Sequence, residues 1–214
     1  MKPGPFRFLI LPVGFTFSLI VFRCIYSGSL MYLFFAWKLF LAAIPLSVSS
    51  VLICSEKKFH WMLFITWILF FPNALYIITD LLHLKERNDI PLWFDIILIF
   101  SATINGLIMA YLSLSQMEFF LKSKFSNTIT KVNLSTSLVV CSFGVYVGRF
   151  LRWNSWDIFL DPYKLFSELI QPFIHPFQHP RTWAMTIILS FFFNIFYSLI
   201  KKLPGTIVNP GNHY

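Results

Sequence analysis

The chain has 214 residues, of which 57% are apolar, 20% aromatic and 12% charged, with a formal net charge of +8. Ordinary globular proteins carry roughly 25% charged residues, and a soluble fold of this size cannot hide so much apolar surface from water. The composition excludes a water-soluble domain and points to an all-α, polytopic membrane helix bundle. Three cysteines, Cys24, Cys54 and Cys141, lie in or beside apolar runs with no C-x-x-C pair, so they read as buried or lipid-facing thiols.

A membrane span needs about 20 mainly apolar residues. Six stretches qualify, at residues 6–22, 30–54, 59–84, 92–114, 135–151 and 183–200, within a single transmembrane domain covering 1–214. Lys2 and Arg7 ahead of the first run resemble a signal peptide, which in a multi-spanning chain reads as an uncleaved anchor. Pro12, Pro45 and Pro72 fall inside spans, where neighbouring helices satisfy the freed carbonyls.

Six spans put both termini on one side of the membrane. That side carries nine basic residues: Lys2, Arg7, Lys57, Lys58, Lys122, Lys124, Lys131, Lys201 and Lys202. The opposite side carries seven: Arg23, Lys85, Arg87, Arg149, Arg152, Lys164 and Arg181. The positive-inside rule therefore assigns the termini to the cytoplasm. Asp80, Glu86, Asp89, Asp95, Asp157, Asp161 and Glu168 all fall on the opposite side, leaving only Glu56 and Glu118 beside the nine basic residues. The basic charge suits a face lying on anionic lipid, and nucleic acid is not an expected partner.

Lys38, beside Trp37, lies inside the second span with no partner that the sequence names. The third span ends "FPNALYIITDLLHL". On a continuous α-helix, Asn73, Tyr76, Asp80 and His83 fall within an arc of about 80°. Asp80 and His83 are one turn apart and form a candidate acid–base pair. The plainer alternative is a helix leaving the membrane with a solvated Asp and His.

The fourth span, from "PLWFD" through "SATINGLIMAYLS", carries Asp95, Asn105, Gly106 and Ser113 on one stripe. Asn105 reads as a hydrogen bond across a helix contact. Asp95 calls for an arginine partner. The fifth span contains "GVYVG", with Gly144 and Gly148 spaced for close helix approach, and ends in "GRFLRWNSWD". One reading makes this segment an aromatic-belt anchor with snorkelling arginines. The reading favoured here pairs Arg149 and Arg152 with Asp80 and Asp95 in a partly buried network.

The segment 157–180 follows as an interfacial piece. Asp161 and Pro162 make a good helix start, and Leu165, Phe166, Leu169 and Ile170 form an apolar side. His175 and His179 are four apart, but Pro176 and Pro180 prevent a regular helical pair, and no recognised zinc spacing is present. The chain names no metal and no cofactor. In the last span Thr186, Ser190 and Asn194 recur at four-residue steps, as a helix-packing seam does.

Taken together, "FPNALYIITDLLHL", "LWFD" and "GRFLRWNSWD" resemble a family of bacterial multi-spanning proteins known as the domain of unknown function 1361. The resemblance covers roughly Phe59 to Asp157. Family members often carry "FPNAPY", so Leu75 departs from that proline. The resemblance implies a bacterial plasma membrane and supplies no activity.

These readings converge on an outward-facing polar pocket that binds or acts on a lipid-linked or envelope substrate. Asp80 and His83 are the catalytic candidates. Asn73, Tyr76, Asp95, Arg149, Arg152, Asn154 and Asp157 are the binding candidates, the arginines serving a phosphate or carboxylate. The alternatives are a small transporter or channel using Lys38 and Asn105, and an accessory subunit in which the Arg–Asp network only staples helices. Expected partners are the lipid bilayer, an anionic lipid or lipid-linked substrate, and a second copy or another membrane protein.

Overall fold

The computed structural model describes residues 8–83, 90–153 and 160–208, with side chains of the last stretch described to Lys202. Every regular element among them is helical: α1 Ile10–Ser27, α2 Leu33–Cys54, α3 His60–Tyr76, α4 Leu92–Lys122, α5 Asn127–Tyr146, α6 Pro162–Ile174 and α7 Pro180–Val208. Short 3-10 turns lead into α2 and α3 and extend α3 over Ile77–His83. Six stretches are long and apolar enough to cross a membrane, at Ile10–Ser27, Leu30–Cys54, Lys57–Leu81, Leu92–Lys122, Asn127–Leu151 and Pro180–Lys202.

Their number agrees with the sequence and their bounds do not. The fourth helix runs eight residues past the expected 114, and the fifth starts eight before the expected 135. Apolarity marks where lipid begins, whereas the helix continues as long as its residues favour it. "SLSQMEFFLK" does so, with Glu118 buried and bonded to Lys122 one turn on at 2.8 Å. Ser126 then caps α5 by accepting from the Ile129 N–H.

The chain divides into two compact units, Met1–Phe125 and Ser126–Tyr214. In the first, α2 packs on α3 and α4, and α1 lies against α4 and α2. Its apolar cluster includes Ile20, Phe35, Leu39, Ile77, Leu98 and Ala102, buried where α1, α2, the 3-10 turn and α4 meet. In lipid, apolar packing says little about which helix faces which, because lipid tails are as apolar as leucine. Hydrogen bonds across the seams supply that information.

Asn105 Nδ2 donates to Pro12 O at 3.0 Å and to Thr16 Oγ1 at 2.8 Å, tying α4 to α1 mid-span. Thr16 and Ser101 hydroxyls lie 2.6 Å apart in the same seam. At a second node Ser113 Oγ donates to Pro45 O at 2.9 Å, accepts from Trp67 Nε1 at 2.8 Å and meets Ser49 Oγ at 3.0 Å. That node joins α2, α3 and α4. Asn105 thus has the cross-helix role its mid-span position indicates.

In the second unit α5 and α7 pack together, and Ser135 Oγ donates to Asn194 Oδ1 at 2.9 Å. Phe173 of α6 lies edge-on to both Phe143 and Trp183, and Trp183 Nε1 donates to Pro172 O at 3.2 Å. Asp161 caps α6, accepting from the Lys164 N–H. Leu165 is buried while Tyr163, Phe166, Ile170 and Phe173 are exposed, so the outward apolar stripe is rotated from the Leu165–Ile170 side read from the sequence.

At Gly106 α4 lies close against the chain around α3. A Cβ there would sit 2.4 Å from Ile77 Cγ2 and 3.2 Å from Ala74 O. Gly106→Ala should therefore lower stability by about 1–3 kcal/mol through overpacking, although alanine is the better helix former. Thermal unfolding of the detergent-purified chain checks this, and an unchanged or raised melting temperature would contradict the close approach.

Candidate functional site

Asp95 lies in the first turn of α4, where the helix dipole favours a carboxylate. It is buried, and Arg23 of α1 reaches it with two hydrogen bonds, Nε to Oδ1 at 2.8 Å and Nη2 to Oδ2 at 3.3 Å. Tyr32 donates its hydroxyl to Oδ2, and its ring lies 4.5 Å beneath the Arg23 guanidinium carbon. Local sequence sets this up. Gly28 ends α1 with a left-handed residue, φ 63°, which lets the chain reverse. Ser29 then caps the 3-10 turn that carries Tyr32. With both carboxylate oxygens engaged and the guanidinium permanently charged, this cluster is built to hold helices.

The second pair is less enclosed. Lys38 Nζ lies 2.5 Å from Asp80 Oδ1; the lysine side chain is 19% exposed and that of Asp80 0%. The ammonium also sits over two rings, 4.8 Å from the Phe34 centroid and 4.7 Å from that of Tyr76. Charge pairing and the ring faces together stabilise a cation inside the span. The α-helix stops at Tyr76 and tightens to a 3-10 turn at Ile77, so the continuous arc drawn through Asn73, Tyr76, Asp80 and His83 does not hold. Tyr76 and Asp80 converge nonetheless, on Lys38. Asn73 serves its own helix, Nδ2 donating to Phe70 O at 3.2 Å. The His83 side chain lies outside the described residues.

The sequence reading looked to Arg149 and Arg152 for these two carboxylates. The cations that the first unit itself supplies are Arg23 and Lys38. Arg23 had been counted as a loop charge. The signal that marks it is the seven-residue step from Thr16, two turns along the same face, and Thr16 sits in the α1–α4 seam.

In the second unit α5 ends in a π-helical turn, Val147–Leu151, which carries Gly148 and a half-buried Arg149. Arg152 follows with a left-handed backbone, φ 61°, and an exposed side chain. A non-glycine residue there costs about 1–3 kcal/mol, and π turns recur at functional sites. Next to it, Trp153 Nε1 donates to Glu168 Oε2 at 2.7 Å, and Lys164 Nζ sits 5.7 Å from the Trp153 ring centroid. Lys164 and Glu168 of α6 thus meet Trp153 at the end of α5, directly after the turn that carries Arg149 and Arg152. Lys164 and Glu168 were missed as site residues because only the fold of α6 brings them to Trp153. Asn154 and Asp157 lie outside the described residues.

Among the described residues no group of three or more His, Cys, Asp or Glu side chains gathers as metal ligands would. Helices of this length and apolarity, with charges compensated inside the bundle, define a multi-pass, membrane-embedded helical protein. The chain belongs to the family described as "Protein of unknown function (DUF1361)", which it matches over residues 37–196. The match includes Lys38, Asp80, Asp95, Arg149 and Arg152 and leaves α1, with Arg23, outside. Searches of curated proteins and of solved structures found no match.

The unequal exposure of Lys38 and Asp80 makes their substitutions unequal. Lys38→Met strands a fully buried carboxylate and should cost about 3–5 kcal/mol. Asp80→Asn should cost distinctly less, since the part-exposed ammonium keeps its two rings. Unfolding midpoints of the two variants decide it, and equal losses would contradict the asymmetry.

Proposed function

We propose that this is a membrane protein that binds the anionic group of a lipid or lipid-linked substrate. Arg149, Arg152 and Lys164 form the receiving corner. The carrying observation is the left-handed backbone of Arg152 directly after a π turn, which holds an exposed guanidinium at a cost in conformational energy. Guanidinium groups match phosphate and carboxylate oxygens two at a time. The Trp153–Glu168 bond anchors the corner. The exposed apolar stripe of α6 suits a helix lying in the lipid interface, the plane where such headgroups sit.

Asp80 and His83, one turn apart, are the groups we assign to acid–base work, with Lys38 holding the Asp80 carboxylate. We place the protein in a bacterial plasma membrane with its termini in the cytoplasm and the arginine corner outside. Arg23 supports this, because its burial against Asp95 removes it from the loops. The basic residues that remain are nine on the side of the termini and six, seven less Arg23, on the other.

Native mass spectrometry of the full chain, released from detergent in the presence of phosphatidylglycerol or phosphatidylcholine, tests the binding. Wild type should retain phosphatidylglycerol preferentially. Arg152→Gln should weaken that retention about tenfold, the worth of one charge-assisted hydrogen bond. Equal retention of the two lipids, or no effect of the substitution, would overturn the reading.

A further inference from the structure

We infer that the groove between α5 and α7 holds one acyl chain of a glycerolipid, with Thr186 donating a hydrogen bond to its ester carbonyl. The groove contains a recess of about 350 Å³. Val139 of α5 and Ile187 and Phe191 of α7 line it and are exposed, so it opens towards lipid. Its outer end is at Trp183, whose Nε1 bonds Pro172 O of α6. Its inner end is at Asn194, where Ser135 Oγ donates to Asn194 Oδ1 from α5 to α7. From Trp183 to Asn194 is about 16 Å at the α-helical rise, against about 15 Å for half of the hydrocarbon layer. A further recess from Asn194 to Lys202 is lined by α7 alone. The two-walled groove is therefore one leaflet deep, the reach of a lipid chain and half that of a membrane-crossing helix.

The hydroxyl of Thr186 points independently to a ligand. Helical threonines elsewhere in the chain return their hydroxyl to the carbonyl four residues back, as Thr16, Thr66 and Thr103 do at 3.1, 2.9 and 2.8 Å. Thr186 has the same option in Thr182 O and does not take it. Its Oγ1 has no hydrogen-bond partner among the described residues, and the residue is 3% exposed. Thr130 and Thr182 also hold unpartnered hydroxyls, but each lies at the start of its helix and neither lines the recess. A buried hydroxyl without a partner is destabilising, and a bound acceptor offsets that loss. Threonine in a helix has two accessible χ1 wells, so rotation about one bond turns this hydroxyl into the recess.

Depth and chemistry name the acceptor. At the inner end Asn194 is satisfied within the protein, its Nδ2 donating to Ser190 O at 2.8 Å and its Oδ1 accepting from Ser135. The recess thus takes hydrocarbon along its length and an acceptor near its outer end. Thr186 lies one turn inside Trp183, and tryptophan marks the headgroup level. The ester carbonyls of a glycerolipid sit at that depth, just inside the headgroups, and a carbonyl oxygen is the acceptor this hydroxyl lacks. This contact rests on the proposed function only in taking the ligand to be a lipid.

Native mass spectrometry of the full chain with two phosphatidylcholines of equal chain length, one a diester and one a diether, tests the carbonyl contact. Both lipids carry the same zwitterionic headgroup, so the result does not depend on the arginine corner. Wild type should retain the diester about fivefold over the diether, the worth of one neutral hydrogen bond. Thr186→Val should bring the two lipids to equal retention, and Ser190→Phe, which fills the recess, should lower the retention of both. Should Thr186→Val not fold, a phosphatidylcholine with a photoreactive chain, bound at one lipid per wild-type chain, decides. Its labels should concentrate on Val139 and Phe191 over Ile188, which is as exposed as Phe191 but lies off the recess. Equal retention of diester and diether by wild type, an ester preference that survives Thr186→Val, labels equal at Ile188, or a stoichiometric foreign helix in the groove would each overturn the proposal.

Discussion

The buried bond between Arg23 and Asp95 is the constraint from which the rest of the first unit follows. Inside a bilayer, apolar side chains are at home against a neighbouring helix or against lipid. A guanidinium and a carboxylate are at home only against each other. Pairing them fixes the rotation of α1 about its axis and its height against α4. Two turns from Arg23, Thr16 then falls beside Ser101 and Asn105, and the mid-span amide finds both a hydroxyl and the Pro12 carbonyl. Tyr32 brings the start of α2 to the same point, and α2 carries Lys38 to Asp80. One charge pair thus sets a register that several weaker hydrogen bonds extend.

Much of this was legible beforehand, and the part that was not has a physical reason. Six apolar runs announced six helices because the bilayer imposes a length. The polar stripe of the fourth span and the structural role of Asn105 followed from helical periodicity. The need of Asp95 for an arginine was also readable, but not which arginine. Arg23 is 72 positions away and Lys38 is 42 positions from Asp80, and no local pattern encodes such distances. The helix ends were misplaced because "SLSQMEFFLK" and "NTITKVNL" mix in polar residues that break the apolar run without breaking the helix, the second being started by the Ser126 cap. The 3-10 tightening after Tyr76 and the π turn before Arg152 were invisible, since both depend on how the backbone settles against its neighbours. The corner of Arg152, Lys164 and Glu168 exists only once α6 has folded back to Trp153.

The charged groups divide by accessibility, and this guides what each is for. Arg23, Asp95 and Tyr32 are sealed and mutually satisfied, the signature of a staple. Lys38 keeps a window to its surroundings, and Arg152 is outside the core altogether on a strained backbone. The left-handed Arg152 ends the helix, its N–H and that of Trp153 donating to Val147 O, and leaves an exposed guanidinium at the corner for which ligand binding is proposed. Membership of a family defined by sequence alone leaves chemistry to be read from such local costs.

The central claim is that Arg23 and Asp95 act as one unit. A double-substitution cycle tests it, with Arg23→Met, Asp95→Leu and the two combined, each unfolded in the same detergent. Each single change should cost about 3–5 kcal/mol by stranding the other charge, and the combined change should cost less than either. Losses that simply add would show that the two side chains do not depend on each other, and the register argument built on them would fail.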